Sequence, residues 1–139
     1  MDDPFNLQRF VDAQAPIYDQ VCIELSRGRK ASHWMWFIFP QIVGLGSSPM
    51  AQHYAIGSGA EATAYASHSL LGSRLRECTA MVNAISGSTA HEIFGSPDDL
   101  KFRSCLTLFA VCAQDAGIFQ DALDRYYGGE SDPLTLARL

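Results

Sequence analysis

Charge is scarce in this chain. Only 18% of its 139 residues are charged, and ten Lys and Arg face fifteen Asp and Glu, for a net charge of −5. A broad grip on nucleic acid needs a basic footprint that displaces counterions, so no nucleic-acid partner is expected. Long apolar runs are missing as well. The longest, Trp34 to Phe39, falls far short of the roughly 20 residues that a bilayer-spanning helix requires, so no membrane partner is expected. Met1-Asp2-Asp3-Pro4 is acidic and opens no apolar stretch of the kind a secretory leader carries. Cys22, Cys78, Cys105 and Cys112 form no C-x-x-C pair and have no zinc-like spacing, while His53, His68 and His91 fall outside metal-ligating patterns. No metal and no cofactor is therefore expected, and the thiols read as reduced, structural groups in a cytoplasmic protein. Walker and Rossmann glycine patterns and a serine nucleophile elbow are also lacking, which disfavours those chemistries.

What is abundant is core material. Apolar residues make up 47% of the chain, with eight Phe, five Tyr and two Trp. One domain over residues 1–139 can bury enough of this surface to stand without staples. Helix punctuation runs throughout. Asp3-Pro4 caps a stripe of Phe5, Leu7, Phe10 and Val11, and Pro16 restarts a second stripe of Ile17, Val21, Cys22 and Leu25 that Gly28 ends. Ser58 with Glu61 reads as a capping box opening a helix through Tyr65, and Thr89 with Glu92 as another that Gly95 ends. Between them, Leu70 to Ile85 has helical periodicity. Ser96-Pro97-Asp98-Asp99 predicts a cap and first turn for a helix to about Ala113, burying Leu100, Thr107, Leu108 and Val111. Ile118 to Tyr127 closes at Gly128-Gly129, and Asp132-Pro133 caps a terminal turn. The fold class is predominantly α, one compact helical domain. Trp34 to Phe39 breaks the period and predicts a buried extended segment or short strand at its centre, with the glycine-rich stretch from Gly44 lining a pocket.

His33-Trp34-Met35-Trp36-Phe37-Ile38-Phe39-Pro40-Gln41 followed by Gly44-Leu45-Gly46 closely resembles the signature of a bacterial and fungal domain-of-unknown-function family, number eighteen-ten, sometimes labelled calpastatin-like. The resemblance runs on through Tyr54-Ala55-Ile56, Glu61-Ala62, Leu71-Gly72-Ser73-Arg74-Leu75, Ile93-Phe94-Gly95, Thr107-Leu108-Phe109 and Asp132, and so covers nearly the whole chain. An aromatic-rich chain without repeats is unlike a disordered protease inhibitor, whatever the label. More remotely, the pattern is similar to the NADAR group of N-glycosidases, which implies a hydrolase acting on an ADP-ribose-like or nucleotide-like molecule.

That implication gives the polar residues roles to weigh against plainer ones. Glu61 is the candidate catalytic carboxylate that activates water as charge develops on a ribose carbon; its plainer role is the cap with Ser58. Asp132 is a second candidate carboxylate, or only the cap before Pro133. Lys101, Ser104 and Thr107 share a helix face and can present an ammonium and two hydroxyls to an anion, or form surface and intrahelical bonds. His33, Trp34 and Trp36 offer a stacking platform for a base, or fill the core; Gln41 can read a ribose or base edge, or tie down a turn. Arg29, in the knot Arg27-Gly28-Arg29-Lys30, can hold phosphate or sit solvated at a helix end. The expected partner is a small anionic ligand, bound where Glu61, Lys101 and the 33–41 segment converge with Asp132 at the rim. A non-catalytic binding module or an interaction protein is the alternative.

Overall fold

A computed structural model describes residues 2–139. Helices account for nearly all the regular structure: α1 (Gln8–Gln14), α2 (Tyr18–Ser26), α3 (Met35–Ile38), α4 (Pro49–His53), α5 (Gly59–Ser67), α6 (Leu71–Asn83), α7 (Ala90–Phe94), α8 (Asp98–Cys112), α9 (Gly117–Tyr127) and α10 (Pro133–Leu136). The fold is predominantly α, as the punctuation predicts. Among the described residues, extended pairing is limited to a parallel bridge between Ile42 and Ile56. Two backbone bonds of 2.8 Å, Val43 N to Ile56 O and Ile56 N to Gln41 O, close the loop that carries α4.

The caps explain where the helices begin. Asp3 accepts from the N–H groups of Leu7 and Gln8, satisfying orphan donors of the first turn. Thr89 and Glu92 complete a reciprocal capping box on α7. At α5 the box is half built: Ser58 Oγ accepts from Glu61 N at 3.1 Å, but the Glu61 carboxylate turns to Gly57 N and away from the cap residue's own N–H. At α8 the expected Ser96 cap does not form. Pro97 occupies the cap position, with no side-chain bond, and the first-turn acids Asp98 and Asp99 favour the helix dipole instead.

α8 is the axis of the molecule, packing against α5, α7, α9 and α10. Six consecutive residues, Ser104 to Phe109, are buried, so its middle has no solvent face. That explains a correction: Leu100 and Val111, expected in the core, are 58% and 56% exposed, because only the middle of the helix is enclosed on all sides. A second correction concerns the aromatic run. It is neither extended nor a strand but the single helical turn α3, held between Trp34 and Phe39. Its side chains are central as predicted, with Phe39 meeting Phe102 edge-on at 4.8 Å and Phe94 at 5.9 Å. Buried Gln14 ties α1 to this turn, donating to Phe37 O at 2.8 Å and to the Tyr65 hydroxyl at 3.1 Å. All four cysteines are free thiols. Burial pushes the Cys78 thiol up to about 12 and Cys105 well above its usual value, so neither supplies a ready thiolate.

Candidate functional site

The terminal turn α10 and the buried middle of α8 meet through Asp132. Its carboxylate accepts from Ser104 Oγ at 2.8 Å and Thr135 Oγ1 at 2.6 Å, and it caps Leu134 N. Its backbone N–H donates to Thr107 Oγ1 at 2.9 Å, while Thr107 itself bonds back to Arg103 O. Desolvation raises the Asp132 pKa, but the Thr135 and Ser104 hydroxyls and two backbone N–H groups outweigh it and hold the carboxyl below its usual range. Asp132 is thus an ionised group in a prepared setting as well as a cap. Arg103 fixes the chain leading into it by donating to Glu130 O and Ser131 O at 2.9 and 2.8 Å.

A cleft of about 640 Å³ opens beside this cluster, between the start of α8, α10 and the loop ahead of α4. Gln41, Lys101, Ser104 and Asp132 supply polar groups, and Leu45, Leu100 and Leu134 supply apolar walls. The glycine-rich stretch lines it, as expected, through Gly46 and its neighbours. Gly44, at φ +95°, lies under the Arg138 guanidinium, which occupies the space a side chain there would need. Lys101 stands 5.6 Å from the Trp36 ring centroid and 3.7 Å from Asp98. The other oxygen of Asp98 pairs with Lys30 at 2.8 Å.

The remaining candidates are elsewhere. Glu61 does not line the cleft. Its carboxylate is buried against the Arg9 guanidinium at 2.7 Å, with side-chain exposures of 8% and 10%. Arg9 also donates to the carbonyls of Phe5, Asn6, His53 and Ala55, so the pair fastens α1 to the 53–61 segment. Trp34 is enclosed and cannot serve as an open stacking face; its indole N–H donates to Glu24 at 2.9 Å. Trp36 is half-buried and keeps an edge toward a small recess beside Gln41. His33 is exposed, and Arg29 lines a different cleft.

Sequence reasoning missed two organising groups. Arg9 pairs across 52 residues of sequence, which no local pattern signals. Glu24, 2% exposed, accepts from the N–H groups of Ala31 and Ser32, from Ser32 Oγ, from Gln20 and from Trp34. Desolvation alone would raise its pKa, yet these donors bring it down to about 2. The carboxylate thereby shapes the turn that leads into the aromatic segment. Among the described residues no group of three His, Cys, Asp or Glu side chains is placed to hold a metal ion. Among the described residues no helix is long and apolar enough to cross a membrane.

These features define a predominantly helical protein with a mainly apolar cleft carrying a few polar groups, built where a C-terminal turn docks on a buried helix. The chain belongs to the family described as protein of unknown function (DUF1810), whose model matches residues 4–139. A solved structure, that of the conserved hypothetical protein Rv1873 from Mycobacterium tuberculosis, is 55% identical. The match spans 99% of this chain and 98% of that one, with a TM-score of 0.97. No curated protein matches the chain. Neither the family description nor that of the solved structure names an activity.

Proposed function

We propose that the chain binds a small, anionic, nucleotide-like molecule in the cleft lined by Gln41, Lys101, Ser104 and Asp132. The observation that carries this reading is the convergence of a cation, an ionised carboxylate and an amide on one concavity with apolar walls. Binding sites for small molecules have that composition: mostly apolar, with a few convergent polar groups. Lys101 suits a phosphate or carboxylate, Asp132 accepts from sugar hydroxyls, and Leu45 with Leu100 and Leu134 offers a flat apolar wall to a base.

A second reading, hydrolysis of an N-glycosidic bond, rests on the remote sequence resemblance to N-glycosidases and on Asp132. Carboxylate stabilisation of a developing oxocarbenium ion is the chemistry concerned, and Asp132 is the acid in the cleft, whereas Glu61 is engaged by Arg9. The two readings separate in one experiment. Calorimetric titration with ADP-ribose should show binding that Lys101→Met weakens by about tenfold or more, equivalent to about 1.4 kcal/mol. Product analysis on the same mixtures then decides between them: adenine release, from water adding at the anomeric carbon as the C–N bond breaks, supports hydrolysis if Asp132→Asn abolishes it, and binding without release supports the binding module. Absence of binding to ADP-ribose, NAD and simple nucleotides at millimolar concentration would refute the reading.

A further inference from the structure

A second concavity, of about 620 Å³, lies on the other side of Asp98 from the first, and Arg27, Arg29, Ser88, His91 and Glu92 line it. We propose that this cleft is a separate binding site for a phosphate group, gripped by the guanidinium groups of Arg27 and Arg29.

Three observations carry the assignment. First, the two arginines are unpaired: among the described residues neither side chain makes a hydrogen bond or an ion pair, unlike Arg9, Arg74, Arg76 and Arg103. Second, the two exposed arginines do not cap the end of α2. Terminal carbonyls of that helix already accept from the backbone, Ile23 O from Arg27 N, Leu25 O from Gly28 N and Glu24 O from Arg29 N. Neither guanidinium bonds a carbonyl of α2, so both stay available to a ligand. Third, positive charge is concentrated here against the trend of the molecule. Arg27, Arg29 and Lys30 face a single lining carboxylate, Glu92, whose Oε1 is turned to Thr89 N in the capping box. Lys30 is matched by Asp98, and His91 stands 3.4 Å from Asp99. At physiological salt, charges beyond about 8 Å are screened, so an approaching anion meets the local arginines and not the net charge of −5.

Planar guanidinium forks match phosphate oxygens bidentately, and two of them around one turn suit a dianion better than a monovalent carboxylate. Gly28, at φ +78°, makes the turn that sets Arg27 and Arg29 on either side of it. Ser88 adds a hydroxyl at the cleft wall. Free phosphate and the phosphate of an ester present the same chemistry.

Isothermal titration with inorganic phosphate and, separately, with ribose 5-phosphate tests the site. Both should bind, and R27A/R29A should weaken both at least about tenfold, a larger loss than Lys101→Met in the other cleft produces. Equal affinities would identify free phosphate as the ligand, and tighter binding of the ester a phosphate ester. The proposal fails if neither probe binds at 10 mM, or if R27A/R29A binds as the parent does. It fails equally if Lys101→Met alone removes phosphate binding, since the anion would then belong to the first cleft. A circular dichroism melt of R27A/R29A matching the parent excludes misfolding, and Arg27→Lys/Arg29→Lys, retaining charge without the fork, should recover only part of the affinity.

Discussion

Arg9 sits at the meeting of α1 with the segment before α5, and its partner Glu61 is almost out of reach of water. Removing one member of a buried pair strands the other, which is costlier than the pair itself is valuable. Arg9→Ala should therefore destabilise by about 3–5 kcal/mol in urea denaturation. A loss under about 1 kcal/mol would show that water reaches Glu61 freely. Glu24 makes a different kind of prediction, one of pH. Its pKa is about 2 in the folded chain against an ordinary 4.5, so its contribution is complete above about pH 4.5 and fades as pH falls toward 2. The shift corresponds to on the order of 3 kcal/mol. Glu24→Gln, which turns an amide N–H2 toward donors, should lose that stability at pH 7 and show a flatter acid limb between pH 5 and 2; an unaltered limb would assign acid unfolding to other carboxylates. Local chemistry of this sort was only half legible. Asp132, Ser104, Thr107 and Lys101 could be singled out because helix register and cap position are short-range properties. Arg9 and Glu24 could not, because each depends on partners that the chain brings back to it.

The helices themselves follow from short-range rules where caps exist. Asp3, Ser58, Thr89 and Asp132 all accept from first-turn N–H groups. The rules fail where burial is complete. In the middle of α8 every face is covered, and around α3 every side chain but Trp36 is buried, so the apolar period that distinguishes helix from strand is erased. Leu100 and Val111 continue the apolar stripe of α8 past its enclosed middle, and the stripe alone does not show where that enclosure ends. Contact between α5 and α6 supplies a test at this scale. A Cβ on Gly72 would lie 2.1 Å from the Ala66 carbonyl oxygen, which is backbone and cannot swing aside. Alanine is the better helix former by about 1 kcal/mol, so propensity alone predicts that Gly72→Ala stabilises. Packing predicts the opposite sign, a loss of about 1–3 kcal/mol, with the two helices pushed apart. Thermal unfolding of that single variant decides the sign.

At the scale of the whole molecule, the buried side chains of α1, α2, α3, α5, α6, α7, α8 and α9 form one contiguous cluster. A chain of this size with one core should unfold as a unit. Tryptophan fluorescence, reporting Trp34 and Trp36, and helical circular dichroism should trace superimposable urea transitions; separated midpoints would reveal more than one folding unit. The two clefts are another matter, because one carboxylate between them contacts a lysine on each side. Asp98 gives one oxygen to Lys30, on the side of the arginines, and the other to Lys101, on the side of Asp132. A single counter-charge is thus divided between two cations, like a common earth between two circuits. Neutralising it would raise the positive potential on both sides at once and leave the lysines repelling across the gap. Asp98→Asn is accordingly a poor reporter of either cleft alone. It measures instead how far an event on one side is felt on the other, a quantity that must be the same read in either direction.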